Sequence, residues 1–145
     1  MTLVNPELFA APTPSRQRLF LLDGVGAVLS ALCLGAVLPR FERALGVPAA
    51  VLHPLAAIAG ALATGSLLCY WANPRPWQPW LRAIAAANLL YGVLTACLLA
   101  FGPWCVTAWG WGYFGLELAV VALLAGGEVR AASRTPGPRD GTVRP

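Results

Sequence analysis

Apolar positions in this chain come in four long runs, separated by short stretches rich in proline, arginine, tryptophan and glycine. The runs fall at 19–38, 49–72, 81–101 and 106–126. Each approaches or exceeds the roughly 20 apolar residues that a helix needs to cross the hydrocarbon core of a bilayer. Polar and small residues inside the runs recur at helical spacing. Asp23, Ala27 and Ser30 share one side of the first run, and His53, Ala57, Gly60 and Thr64 one side of the second. Asn88, Tyr91 and Thr95 do so on the third, and Tyr113 and Glu117 on the fourth. The pattern predicts an all-α fold, a four-helix transmembrane bundle made of two helical hairpins. All four stripes are expected to turn inward, where polar groups in a membrane find partners.

The breaks between runs set the domain organisation. Pro39 to Pro48 reads as a short polar connection carrying Arg40, Glu42 and Arg43. Asn73 to Trp80 holds Pro74, Pro76 and Pro79, which forbid helix continuation and stiffen a central turn. Gly102-Pro103 ends the third run and Gly126-Gly127 the fourth. The chain therefore divides into an N-terminal tail (1–18), a membrane domain (19–126) and a polar tail (127–145) whose Arg, Pro and Gly content predicts disorder. The basic start followed by an apolar run has the outline of a signal peptide. That run is long, carries Asp23 and ends in Leu38-Pro39-Arg40 without a small-residue cleavage motif, so it is expected to be retained.

Small residues recur every four positions as Ala27, Ala31 and Gly35, and again as Ala57, Ala61 and Gly65. Such spacing lets helix backbones approach closely, and it places the alanine-rich second span inside the bundle. There is also an internal echo. Asp23 followed by Val28-Leu29-Ser30-Ala31 recurs as Asn88 followed by Val93-Leu94-Thr95-Ala96. An echo of that kind relates the two hairpins by an axis along the membrane normal.

Composition changes the picture in two ways. With 58% hydrophobic and 11% charged residues, the chain lies far from the roughly 25% charge of soluble domains. Its net charge of +4 comes from ten basic residues, all arginine. They flank the spans, so they read as topology signals and not as a nucleic-acid surface. Arg16, Arg18, Arg75, Arg82, Arg130, Arg134, Arg139 and Arg144 fall on one side if both termini share it, leaving only Arg40 and Arg43 on the other. The positive-inside rule then gives N-in, C-in topology, with both termini cytoplasmic. An arginine-only basic set in an Ala-, Gly- and Pro-rich chain points to a GC-rich bacterial genome, and hence to the bacterial inner membrane.

Candidate chemistry is sparse. The four cysteines, Cys33, Cys69, Cys97 and Cys105, form no C-x-x-C pair, and His53 is the one histidine. No metal site and no cofactor are expected. A disulfide from Cys105 to Cys97 or Cys33 is compatible with the outer side. No Ser-His-acid arrangement or phosphate-binding glycine loop is present, so an enzyme is the less favoured class. What stands out is Glu117, near the middle of its span. A carboxyl there costs about 2.5 kcal/mol or more on insertion scales, which a partner, a proton or a water-filled cavity must offset. Glu117 reads either as a functional protonatable site or as a protonated structural hydrogen bond to Tyr91 or Asn88. Asp23 is expected to pair with Arg82 or Arg18, and His53 to sit near an interface. Asp23, Asn88, Glu117, Tyr91, Tyr113 and His53 together form a candidate intramembrane polar ladder.

Phe20-Leu21-Leu22-Asp23-Gly24-Val25-Gly26-Ala27, Ala87-Asn88-Leu89-Leu90-Tyr91 and Tyr113-Phe114-Gly115-Leu116-Glu117 resemble segments of uncharacterised small four-span bacterial integral membrane proteins. The resemblance covers roughly residues 19–128 and implies a fold size and a membrane location, with no activity. The chain is also similar in length and span count to small multidrug exporters, which use a membrane-embedded Glu. There that Glu lies in the first span, where this chain has Asp23, and the function does not carry over. The expected function is a non-enzymatic accessory or structural membrane protein, packed against itself as a homodimer or against a larger complex. The alternative is a small proton-coupled transporter or permease acting as a homodimer, with Glu117 as its protonatable site. The arginine bias makes one prediction directly. Cysteines introduced at 75–80 should resist an impermeant thiol reagent added to intact cells, and cysteines at 40–46 should react; the reverse pattern inverts the topology.

Overall fold

The computed structural model describes residues 16–133, apart from the side chain of Arg16. All regular structure among them is helical, with no strand. Four helices are long and apolar enough to cross a membrane: Gln17–Leu45, Ala49–Ala72, Gln78–Phe101 and Ala108–Ser133. The chain is thus a multi-pass membrane protein by the length and composition of its helices.

The first span is not one regular helix. It begins as α1 (Arg16–Leu32), widens into a π turn (Cys33–Val37), tightens into a 3-10 turn (Leu38–Phe41) and ends in the short α2 (Glu42–Leu45). Pro39 is the cause. It has no N–H to give to the carbonyl four residues back, and its ring presses on that carbonyl. The π turn bonds the Leu38 N–H to the Cys33 carbonyl, five residues back, which re-phases the backbone ahead of the proline. Helix therefore persists through the segment expected to be a simple connection.

Gly46 ends α2 in the left-handed region at φ 73°. Its backbone lies so close to the Cys105 carbonyl that a Cβ there would collide with it. Helix α3 (Ala49–Ala72) starts behind Pro48, which offers no side-chain acceptor. The Glu42 carboxylate supplies one, accepting the Ala49 N–H at 3.1 Å, where a negative charge also favours the helix dipole. Asn73, at φ 45°, ends α3. After the proline-rich turn, α4 (Gln78–Phe101) and α5 (Ala108–Ser133) follow.

A clasp joins the 38–48 segment to the start of α5. Thr107 donates its N–H to the Leu45 carbonyl at 3.0 Å and its hydroxyl to the Ala44 carbonyl at 2.5 Å. The same hydroxyl oxygen accepts the Gly110 N–H at 3.2 Å, the role of a helix N-cap. Gly110 has no room for a side chain against the Leu45 carbonyl, so it serves this internal contact.

Helix α1 packs along α3, and α4 along α5; α3 also meets α4, while α1 and α5 touch more sparsely. Gly24 permits the close approach of α1 to α3, since a Cβ there would lie 2.8 Å from Leu67. Two apolar clusters close the ends of the bundle. At the clasp end, Leu34, Leu38, Leu45, Val47, Leu52 and Phe114 are buried together. At the end of the central turn, Phe20, Cys69, Leu81 and Ala132 do the same. Exposed Trp71 and Trp80 ring the turn end, and exposed Phe101, Trp109 and Trp111 the clasp end. Trp80 and Phe101 stand about 32 Å apart along α4 at 1.5 Å per residue, close to a hydrocarbon core of about 30 Å.

Two boundary expectations need correction. Residues 127–133 are helical, not disordered, because α5 runs through Gly126 and Gly127 to Ser133. A helical glycine costs about 1 kcal/mol, whereas an unpaired backbone group away from water costs several. Helix α1 likewise begins at Arg16, inside the expected N-terminal tail. The rest of both tails, 1–15 and 134–145, lies outside the described residues. The alanine-rich second span also does not turn its small stripe inward: Ala57 and Ala61 are exposed, and α3 buries Leu52, Leu55, Ala59, Ala63, Ser66 and Cys69 instead.

The clasp predicts that Gly46→Ala will lower the thermal stability of the detergent-solubilised protein. The left-handed conformation alone costs about 1–2 kcal/mol, and the collision with Cys105 adds to it. Thr107→Ala removes a cap and should cost about 1 kcal/mol. An unchanged melting temperature for Gly46→Ala would show that the clasp holds nothing.

Candidate functional site

Between the two apolar clusters lies a polar layer. Its first rung is Asp23 on α1, with both carboxyl oxygens engaged. Oδ1 accepts the Asn88 side-chain N–H from α4 at 2.5 Å. Oδ2 accepts the hydroxyl of Ser66 from α3. Asp23, Asn88 and Ser66 are all buried, so one carboxyl ties three helices together. Asp23 and Asn88 are also the equivalent positions of the sequence echo. They meet across the bundle because α1 and α4 stand diagonally, each flanked by α3 and α5.

The second rung is one turn along α4. Tyr91 donates its hydroxyl to Glu117 Oε1 on α5 at 3.1 Å. The other carboxyl oxygen, Oε2, is buried with no partner. Thr95, a further turn along, is fully buried with its hydroxyl also unpartnered. Buried polar atoms without partners are uncommon, and each one left unmet costs about 1–3 kcal/mol.

Both rungs border a cavity of about 260 Å³. Asp23, Ser30, Asn88, Tyr91, Tyr113 and Glu117 supply its polar groups, and most of the rest of its wall is aliphatic. The cavity reaches the seam between α1 and α5, where these helices touch only sparsely. Leu29 on α1 and Leu116 and Val120 on α5 border it and are themselves exposed on the outer surface of the bundle. At this seam the cavity thus lies against the outer surface of the bundle, on the side a bilayer would cover.

The six residues singled out from sequence divide cleanly. Asp23, Asn88, Tyr91, Tyr113 and Glu117 come together around the cavity. His53 does not: it is exposed on the outer face of α3, beside exposed Pro54. Asp23 does not pair with Arg82 or Arg18 either. Arg82 instead donates to the Ala132 carbonyl at 3.3 Å, and Arg18 is exposed. Two amide and hydroxyl donors inside the bundle satisfy Asp23 without bringing a second charge in from the interface. Glu117 bonds Tyr91, one of its two expected partners, and Asn88 goes to Asp23.

Sequence reading missed two residues. Ser66 lies two positions from Thr64, hence on the opposite side of α3, and the stripe drawn through His53 excluded it. Glu128 was assigned to the tail. It is 1% exposed with neither carboxyl oxygen partnered. Its spacing of eleven residues from Glu117, three helical turns, was the available signal. All four cysteines are free thiols. Among the described residues, no three His, Cys, Asp or Glu side chains converge as metal ligands do.

Comparison with protein-family models, with curated proteins and with solved structures finds no match.

Asn88→Ala and Ser66→Ala each remove one donor from the buried Asp23 carboxyl. Each is expected to lower unfolding stability by about 1–3 kcal/mol, measured by thermal melting in one detergent. His53→Ala, on the outer face, should change it by less than about 0.5 kcal/mol. Equal melting temperatures for all three would remove Asp23 from the centre of the fold.

Proposed function

We propose that this protein is a small bacterial inner-membrane permease that draws its ligand from the bilayer and exchanges it against a proton at Glu117. The observation that carries this reading is the Glu117 carboxyl. One oxygen is held by Tyr91, the other is unpartnered, and the residue borders a cavity that reaches the outer surface between α1 and α5. A carboxyl in that setting is stable either with a proton or with a ligand that donates to it, and exchange between the two is proton coupling. The volume limits the ligand. Pockets for drug-sized molecules run from about 300 to 1,000 Å³, so about 260 Å³ suits a small molecule, or the head of an amphipath whose tail stays in the bilayer. Aliphatic walls with carboxyls at the floor favour an amine or other organic cation.

The two helix pairs, α1 with α3 and α4 with α5, act as two hairpins joined by the 73–77 turn. The arginine distribution supports N-in, C-in insertion, with the turn end cytoplasmic and the clasp end outside. A second reading, an accessory subunit or homodimer, draws on α3. Its outer face exposes Ala57, Ala61 and Thr64, and side chains at Gly60 and Gly65 would meet nothing within 4 Å. A face that small suits close contact with another helix.

The test is uptake of a panel of lipophilic amines into proteoliposomes holding an imposed pH gradient. The wild-type protein should show gradient-dependent uptake of at least one amine. Glu117→Gln, which keeps the size and the Tyr91 contact, should reduce that uptake more than tenfold while the protein elutes and melts as wild type. Loss of stability with no uptake to lose in either protein would instead support the accessory role.

A further inference from the structure

A glycine inside a helix needs a reason, because alanine at the same place makes a more stable helix. Helix α1 holds two glycines, Gly24 and Gly26, and their reasons differ. A Cβ at Gly24 would lie 2.8 Å from Leu67, so that glycine lets α3 come close. A Cβ at Gly26 would meet only Leu124 of α5, at 3.6 Å, an ordinary van der Waals contact. The backbone does not ask for glycine either. Gly26 lies within regular helix, and among the described residues the glycine with positive φ is Gly46. Packing and backbone geometry both admit alanine at 26. What glycine leaves there is space, and the space belongs to the cavity that Gly26 borders.

The wall of that cavity is uneven. Helix α1 presents the small residues Gly26, Ala27 and Ser30 to it, whereas α5 presents Leu116, Val120 and Leu124. Leu124 stands beside Gly26 and lies seven residues from Glu117, two turns of α5 or about 10 Å of rise. Both border the same cavity, so it is elongated along the seam. Toward one end is Glu117, 8% exposed, with an oxygen that has no partner. Toward the other is the gap between Gly26 and Leu124. Asp23 also lies at that end, but both its oxygens already accept hydrogen bonds, from Ser66 and Asn88. The Gly26 end therefore offers a ligand chiefly aliphatic contact.

We propose that Gly26 is a specificity-determining residue, which keeps open the compartment for the apolar body of an amine held by its nitrogen at Glu117. This inference rests on the permease reading and deepens it by naming the substrate class. The ligand is a compact amine about 10 Å long, the span of two turns, that fits wholly inside the cavity. An amphipath with its tail left in the bilayer would not use the space at Gly26. A side chain at position 26 shortens the compartment from its far end, away from Glu117, so it trims the length of ligand accepted and leaves the carboxyl untouched.

The test is isothermal titration of the full chain, in one detergent, with primary n-alkylamines from butylamine to decylamine. Affinity for the wild-type protein should rise with chain length to a cutoff and then fall. Gly26→Ala should move the cutoff to a shorter amine, and Gly26→Val further. The longest amine that the wild type accepts should bind Gly26→Val at least about tenfold more weakly, the low end of what one methylene commands in an apolar pocket. Gly26→Ala should also melt at a higher temperature than wild type, because alanine favours the helix and its methyl group fits. Gly24→Ala should melt lower and keep the wild-type cutoff. No binding, an affinity without a cutoff, or a cutoff that neither Gly26 variant moves would overturn the assignment. So would a Gly26→Ala protein that melts below wild type, the behaviour of a packing glycine. The alanine variant keeps the test decisive if Gly26→Val does not fold. Amine uptake by the same proteins separates the two proposals. A moving cutoff without pH-driven uptake sinks the permease alone, and pH-driven uptake with a fixed cutoff sinks the role of Gly26 alone.

Discussion

A bilayer offers a side chain no water, so every polar group that enters must be met from within the protein, and the Asp23 carboxyl is where this chain meets that demand most fully. Its two oxygens draw donors from α3 and α4 toward α1, fixing three helices at one depth. Hydrocarbon does not drive helices together as water does, because lipid tails are as apolar as leucine. Geometry must come from close packing and from buried polar bonds. Gly24 against Leu67 supplies the first for α1 and α3, and Asp23 supplies the second. The fourth helix enters the network one turn away, through Glu117 and Tyr91.

The contrast between the two rungs is informative. Around Asp23 every oxygen has a donor, as a structural carboxyl requires. Around Glu117 one oxygen has none, and a cavity lies alongside. Both carboxyls belong to the same bundle, with partners one turn apart on α4, yet only one is fully satisfied. Unmet polar atoms in a folded protein call for an explanation; among the described residues they fall on Thr95, Trp104, Glu117 and Glu128, and of these only Glu117 borders the cavity.

Much of this was legible in the residues because the membrane makes polar positions loud. Four runs of the right length give four helices, and Asp23, Asn88, Tyr91 and Glu117 stand out against leucine and alanine. What misled was the assumption that the most polar residue of a span marks its inner face. His53 sits near the start of α3 on an exposed face and needs no partner from the bundle. Drawing the stripe through it turned α3 around and hid Ser66. Glu128 was hidden by Gly126-Gly127, which end helices in water because the freed backbone can be hydrated. Near the membrane that alternative is poorer, and the helix continued. Pro39 misled in the same direction, since a π turn absorbed it.

The clasp at Leu45 and Thr107 has a mechanical meaning. It ties the first span to the start of α5 at one end of their shared seam. At the other end α1 begins and α5 finishes, and no loop among the described residues joins them. There Phe20 of α1 and Ala132 of α5 are buried together with Cys69 and Leu81. The seam is thus fastened by directional backbone bonds at one end and by apolar packing alone at the other. Apolar packing tolerates sliding that a hydrogen bond does not, so slippage between α1 and α5 falls on the half of the seam that holds Asp23.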